Sequence, residues 1–415
     1  MTAPTNELGY VNPTAGTGWW MPPLEEATPE LRWPASVIVY DRMRRQDAQV
    51  ASVLRAVTLP VRRTGWRIEP NGARDEVVQF VAADLGLEID GAADDTTPRR
   101  TRDRFSWSAH LRMALLMIVY GHSFFEQVYR IDTAGKARLR KLALRPASTL
   151  SAINVAADGG LDSIEQYAPV GATKGPFLKI PITRLVAYVH EQEGGNWAGT
   201  SLLRPAYKHW LIKDRLLRVQ AQTIDRNGMG VPLYVGAEGE ESLDNGVKLA
   251  KAWRAGDDSG AAIPFGAQLL LRGVEGSLPD ADPAIRYHDE QIARAVLAHF
   301  LNLGTQTGSW ALGTTFADFF TNSLQALAQE IADIANAHII EDLVDVNFGE
   351  DEPAPQLIFD EIGSQQSATA AAIKMLIDAG AIFPDRQLEE AIRQAYGLPP
   401  KDPVTGNPPP ANGAP

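Results

Sequence analysis

The chain has 415 residues, a net charge of −12 and no cysteine, with 45% hydrophobic and 22% charged residues. That length accommodates two or three domains and a sizeable core, while the missing cysteine excludes a disulfide framework, thiolate chemistry and a zinc–thiolate site. The acidic balance argues against a general nucleic-acid coat, and no stretch approaches the roughly 20 apolar residues that span a bilayer. With Glu7 and no early basic cluster, the N-terminus lacks the form of a secretory signal, so the expectation is a soluble protein made inside the cell, with no membrane partner.

Residues 1–34 are rich in Pro, Gly and Thr yet carry Trp19, Trp20 and Trp33. Three indoles are unusual in a disordered leader, and the reading is an extended arm that docks on a neighbour through its rings. From Ala35 to about Leu59, Val39, Met43, Val50, Val53, Leu54 and Val57 recur at helical spacing. Pro60 is expected to stop that helix, and the residues from Val61 to Ile68 to form a strand. A second helix is expected from Asp75 to Leu85, then a polar loop over 91–104 holding Arg99, Arg100, Arg102 and Arg104. Ser106 caps an apolar helix that runs to Tyr120 and ends at Gly121. Alternation then predicts strands at Ser123 to Ile131, Leu139 to Leu144, Ala152 to Ala156, Ser163 to Tyr167, Phe177 to Ile180 and Leu185 to His190. Together these form an α+β domain ending near Asn196.

Thr200 or Ser201 is placed to cap a long helix to Asn227. Its expected apolar seam is Leu203, Tyr207, Trp210, Leu217, Ala221 and Ile224; its basic face is Lys208, Arg215, Arg218 and Arg226. A small β-α-β unit follows, with a strand at Val231 to Val235, a helix from Ser242 to Arg254 and a strand pair from Ala261 to Val274 around Pro264 and Gly266. Asp282 and Pro283 open another helix to about Asn302. Next comes a glycine-spaced loop, Leu303 to Thr315, reading LGTQTGSWALGTT. A third long helix is predicted from Phe316 to about Val346, with Phe316, Phe319, Phe320, Leu324, Leu327, Ile331 and Ile334 inward. Its opposite stripe is Asp318, Asn322, Gln325, Gln329, Asp333 and Asn336. A strand near Gln356 to Phe359 and two closing helices complete the fold. The last helix starts at Pro384, is striped by Leu388, Ile392 and Tyr396, and precedes a Pro-, Gly- and Asn-rich tail expected to be disordered.

Charge is segregated along the chain. The 79 residues from Ala295 to Ile373 contain no lysine or arginine but eleven acids, whereas twenty basic residues lie between Arg32 and Arg145. The expectation is one surface that attracts nucleic acid or acidic partners and another that repels polyanions.

No catalytic constellation emerges. There is no Walker A motif, no nucleophile elbow and no histidine pair at metal-ligand spacing. Gly304 and Gly308 do not fit the dinucleotide fingerprint. His122, in YGHSFFE beside Ser123 and Glu126, reads as a histidine packed at a helix-to-strand turn. Glu350, Asp351 and Glu352 read as a solvated acidic run, with divalent-cation binding the competing interpretation. No cofactor is expected.

The segments VASVLRAVTLPVRRTGWRIEP, YGHSFFEQVYR, GTSLLRPAYKHWLIKDRLLRVQAQTIDRNGMGVPLYV, DEQIARAVLAHFLNLGTQTGS and MLIDAGAIFPDRQLEEAIRQAYGLP occur in that order. Over about Arg42 to Pro399 this succession resembles the tailed-phage portal family, in particular its Mu-like members. The resemblance implies an α+β fold in a ring oligomer, typically a dodecamer. After an arm over 1–34, it implies a wing over 35–198, a first stem helix over 199–230, a clip over 231–282 and a second stem helix over 283–302. A tunnel loop over 303–315 follows, then a long, kinked helix over 316–348, a C-terminal strand and short crown helices over 349–398, and a tail over 399–415. The implied tunnel-loop residues are Gly304, Thr305, Gln306, Thr307, Gly308, Ser309, Trp310 and Gly313, with Trp310 as the single bulky group. Candidate channel-lining residues are Asp318, Asn322, Gln325, Gln329 and Asp333. Lys208, Arg215, Arg218 and Arg226 would form a basic stem face that meets DNA or neighbouring subunits.

The resemblance implies a non-enzymatic conduit at the capsid vertex of a virion, made in the cytoplasm of a bacterial host. Its partners would be double-stranded DNA, the terminase large subunit, a head-completion or adaptor protein, and the major capsid and scaffolding proteins. Two alternatives stand beside it. One is a Mg²⁺-dependent nucleic-acid-processing enzyme using Asp345, Glu350 or Asp351; the other is a structural capsid or tail adaptor ring without a DNA channel.

Overall fold

The computed structural model describes Val11 and residues 26–92, 105–171, 175–228, 231–240, 242–252, 262–272, 280–296 and 310–363; the side chains of 226–228, 231 and 310–318 are outside that description. The chain divides into two units, Met1–Ile358 and Phe359–Pro415, and of the second only 359–363 are described. Expectations for the arm before residue 26 (Val11 apart), Arg99 to Arg104, the 297–309 segment, the closing helices and the tail lie outside the described residues.

Asp47 divides the first predicted helix in two. Its extended backbone ends α1 (Ala35–Gln46) and caps α2 (Ala48–Arg63), its carboxylate accepting from the Gln49 and Val50 amides. Pro60 does not stop α2, and no strand starts at Val61. The helix continues to Arg63 because Val61, fully buried, extends the inward row of Val50, Val53, Leu54 and Val57. At Pro60 one amide donor is missing, but Thr64 N still closes the last turn on the Pro60 carbonyl. The strand is correspondingly short: β1 (Trp66–Glu69). After α3 (Asp75–Leu85) comes β2 (Glu88–Ile89), which pairs with β1 in parallel.

Ser106 caps the next helix through a bond from the Ala109 amide, but that helix is α4 (Trp107–Ala114), followed after Leu115 and Leu116 by α5 (Met117–Tyr120). Antiparallel strands follow: β3 (His122–Ile131), β4 (Ala137–Arg145), β5 (Leu150–Val155), β6 (Leu161–Tyr167), β7 (Phe177–Pro181) and β8 (Leu185–Val189). They form two three-stranded sheets, β4-β3-β8 and β5-β6-β7. Phe124, Leu150, Leu161, Ile164, Ile180, Leu185 and Val189 join the sheets in one apolar core. Trp33 packs against this core, so the third indole of the predicted arm docks on its own chain.

Gly121 closes α5 with φ +88°, and a Cβ there would lie 2.3 Å from the Ala198 carbonyl oxygen. The Gly121 carbonyl accepts from His190 N, and the His190 carbonyl accepts from Thr200 N. Two backbone segments therefore cross in contact, which only a residue without a side chain permits.

The following helix, α6 (Tyr207–Gly228), starts later than Thr200 or Ser201. Ser201 instead donates to the Val119 carbonyl and accepts from Leu203 N, stabilising a turn. Arg204, preceding Pro205, is disfavoured in helical geometry, which delays the start. The small unit after α6 comprises β9 (Val231–Val235), α7 (Asp244–Lys251) and β10 (Gln268–Arg272). β10 pairs antiparallel with β9, from Arg272 opposite Val231 to Gln268 opposite Val235. Within the described residues 262–272 the strand pair expected over Ala261 to Val274 is a single strand: Ala267 N bonds to the Pro264 carbonyl in a turn, which takes 264–267 out of the ladder.

Asp282 and Pro283 do open a helix, α8 (Asp282–Arg294), which packs along α6 and against α2. The last long helix runs as α9 (Trp310–Ala335), a π-helical turn at Asn336–Ile340, and α10 (Glu341–Phe348). Trp310 and Gly313, expected in the glycine loop, fall within the backbone of α9. β11 (Gln356–Phe359) then joins the sheet β11-β1-β2.

Candidate functional site

The long helix is amphipathic over most of its length. Phe320, Leu324, Leu327, Ala328, Ile331, Ala332, Ala335, Ile339, Ile340, Leu343 and Val344 are buried, against α2, α3, β4 and β8. An unbroken α-helix would rotate this row away from its support; the extra residue of the π turn resets it, so that both Ile339–Ile340 and Leu343–Val344 face inward. Asn336 holds the turn in place: its Oδ1 accepts from Leu357 N at 2.7 Å and its Nδ2 donates to the Leu357 carbonyl. Asn336 therefore leaves the predicted stripe for a structural role.

Of the predicted lining residues, Asn322, Gln329 and Asp333 are exposed on one side of α9. Gln329 donates to Asp333 Oδ1 at 2.7 Å. Gln325 is half-buried and bonded, and the side chain of Asp318 is outside the described residues. The exposed row continues through Ala337, Glu341 and Asp345, without a lysine or arginine. Phe319, expected inward, is exposed, since Phe320 takes the buried position beside it. Of the loop candidates, Gly304, Thr305, Gln306, Thr307, Gly308 and Ser309 lie outside the described residues, and Trp310 and Gly313 belong to the backbone of α9.

The basic front half is less available than its composition implies. Arg44 and Arg45 pair with Asp41, Arg67 with Asp90, Arg74 with Glu352, Arg138 with Asp84 and Asp132, and Arg145 with Glu126. These cations tie the α+β domain together. Two carboxylates of the cation-free stretch also find partners in the front half: Glu352 accepts a bidentate pair from Arg74, and Asp342 accepts from Gln127 at 2.7 Å. Glu352 is therefore not free to join Glu350 and Asp351 around a cation, and among the described residues no three metal-binding side chains converge. His122 is buried: its Nδ1 donates to the Ala198 carbonyl, and burial pushes its pKa down to about 4 against the opposing effect of that bond. Glu126 is held by Arg145 and Arg184, and Ser123 donates to the Met113 carbonyl, so this segment contains no relay.

On α6 the predicted apolar seam is buried at its start and exposed further along. Leu217 and Ile224, expected inward, are exposed together with Leu211, Ile212 and Val219. Leu203 and Trp210 lie inward as expected, and the buried row also takes in Ala206 and Lys213. Lys213 Nζ lies 3.0 and 2.9 Å from the two Asp47 oxygens and 2.6 Å from Asp289 Oδ1. Burial alone would lower the pKa of this ammonium, but Asp289 and Asp47 outweigh it and raise the value above the ordinary lysine range. One turn earlier, His209 and His288 meet through their Nδ1 atoms at 3.0 Å. Lys208, Arg215 and Arg218 are exposed, Arg218 paired with Asp214 on its own helix; the side chain of Arg226 is outside the described residues. Sequence reasoning missed Lys213, although its spacing of four and then three after Ala206 and Trp210 places a lysine on the apolar row.

Among solved structures, the fold is similar to a chain of the virion of a native gene transfer agent particle, at 11% identity and TM-score 0.56, over 89% of this chain and 95% of that one. A chain from the neck of the empty particle, computed with C6 symmetry, matches at 12% identity and TM-score 0.55, over 88% and 94%. One from the neck of the native particle, computed with C12 symmetry, matches at 11% and 0.55, over 89% and 95%. At such identities the likeness establishes the mixed helix-and-strand fold. The family model for the portal protein of Mu bacteriophage matches residues 37–398. Since that match spans most of the chain, this protein belongs to the Mu bacteriophage portal protein family.

Proposed function

We propose that copies of this chain form a ring at the capsid vertex, and that double-stranded DNA passes through its centre during packaging and ejection. The observation that carries this reading is the exposed, cation-free side of the long helix, with Asn322, Gln329 and Asp333 on it. DNA gliding through a ring must not be gripped, and each phosphate–cation contact adds salt-dependent affinity. A wall without positive side chains repels the duplex weakly on all sides and leaves it free to move. The 303–309 segment, with Gly304 and Gly308, fits a constriction around the duplex, and residues 231–282 a clip that meets the packaging terminase and later a head-completion protein. Major capsid and scaffolding proteins would contact the wing, 35–198.

A ring also accounts for the exposed apolar residues of α6. Leu217 and Ile224, which continue the Trp210 row at intervals of seven, and Leu211, Ile212 and Val219 on another side are left in water by one copy, and further copies packed against them would remove that cost. Twelve subunits are favoured by the C12 neck structure that the fold resembles. The role requires no catalytic group in this chain; ATP hydrolysis belongs to a separate motor.

The test places cations on the proposed wall. In Gln329→Lys with Asp333→Lys, each subunit gains two cations, and every phosphate they engage steepens the salt dependence of DNA binding by about 0.9 in log–log slope. Packaged-DNA yield should fall and recover partly at higher salt. Unchanged packaging would remove the helix from the channel.

A further inference from the structure

The contact between His209 on α6 and His288 on α8 has no part in the channel described above. The two imidazoles approach Nδ1 to Nδ1 at 3.0 Å. Their centroids are 5.3 Å apart, which is that contact plus one ring radius at each end, so both nitrogens lie on the line between ring centres. Two bare lone pairs aimed at each other would repel, whereas an N–H on either nitrogen turns the contact into a hydrogen bond. A transition-metal ion does not fit on the line along which the two nitrogens point. At about 2.0 Å from each nitrogen, an ion on this line would need roughly 4 Å between the nitrogens.

We propose that His209 and His288 form a single-proton clasp between α6 and α8, closed when one proton lies between the two Nδ1 atoms and opened when both rings are charged. In the neutral pair, one ring carries its proton on Nδ1 and the other on Nε2. The first added proton goes to the free outer Nε2 of the donor ring and leaves the bridge intact. The second must go to the accepting Nδ1, where it sets two N–H groups against each other and breaks the contact. The titratable and charged groups at the pair are Tyr287 on α8 and Lys208 on α6, with the Lys213, Asp47 and Asp289 cluster one turn further along α6 and Arg42 of α1 over the neighbouring Trp210 ring. Burial, then Lys208 and His288, hold His209 below its ordinary value of 6.5. The opened state therefore binds more protons, and the clasp is intact above that value and lost as pH falls below it.

Hydrogen exchange of the full-length protein, corrected for the intrinsic pH effect, reads the clasp in peptides covering 207–228 and 282–294. Protection there should fall on the order of tenfold between about pH 6.5 and 5.5, the dependence of one linked proton. His209→Gln and His288→Gln, which cannot take the proton, should show no such fall. Constant protection in the native protein, or the same fall in both variants, overturns the proposal. Micromolar Zn²⁺ or Ni²⁺ added at neutral pH is the second arm. Protection that rises in the native protein and not in the variants would assign the pair to a metal and overturn the proton clasp.

Discussion

Replacing Lys213 by Met removes the one cation that holds Asp47 and Asp289 together where α2, α6 and α8 meet. Removing one partner of a buried ion pair costs about 3–5 kcal/mol, because the remaining charge stays buried without compensation. The lower end applies here. Asp289 is 30% exposed, and Asp47 keeps its bonds from the Gln49 and Val50 amides. With an unfolding entropy of about 2.1 cal/mol/K per residue, roughly 3 kcal/mol spread over 415 residues lowers Tm by about 3 °C. Differential scanning calorimetry at fixed protein concentration makes the measurement, since the Tm of an oligomer depends on concentration. The cost arises from stranded carboxylates, so Lys213→Met with Asp47→Asn and Asp289→Asn should recover most of it, Asn being as good a helix cap as Asp. A Lys213→Met protein that melts at or above the native Tm would refute the reasoning, as would a triple variant no better than the single.

Acid sensitivity should follow from two buried histidines. Burial pushes His110 to about 3 and His122 to about 4, both below their ordinary 6.5. Each therefore contributes fully above 6.5 and loses that contribution as pH falls below it, the unfolded chain taking the proton first. His122→Gln should flatten the decline of Tm between about pH 6.5 and 5, and an unchanged slope would count against it. Gly121→Ala should destabilise by more than about 3 kcal/mol, since the new Cβ meets the Ala198 carbonyl at a positive φ. Soluble expression and a melt check this, and a protein of native Tm would show that the crossing can relax.

Much of the architecture was readable because it is local. Asp75–Leu85 and Gln356–Phe359 fall where periodicity placed them, and Ser106 and Gly121 bound the helical segment between them as capping chemistry predicts. What failed depends on contacts distant in sequence. Pro60 sits inside a helix because Val61 is needed in a core built from other segments, and Asp47 divides a helix because Lys213, 166 positions away, needs its carboxylate. Asn336 looked like one more polar residue on a stripe until β11 supplied the backbone that it clamps. Leu217 and Ile224 were assigned inward because hydrophobic residues usually point into their own chain, yet both are exposed, as the proposed contact between copies would require. On α9, helical spacing and the missing cations marked the candidate channel wall, and Asn322, Gln329 and Asp333 are exposed where that spacing put them. That Asn336 leaves the stripe and the exposed row resumes at Ala337, Glu341 and Asp345 required the π turn, for which the sequence carries no signal.

Cryo-electron microscopy of the purified protein tests the central claim most directly. The account predicts a closed ring with a central opening wide enough for duplex DNA, and Asn322, Gln329 and Asp333 on its inner wall. A map without an opening, or one that places this side of the long helix on the outer rim, would contradict it.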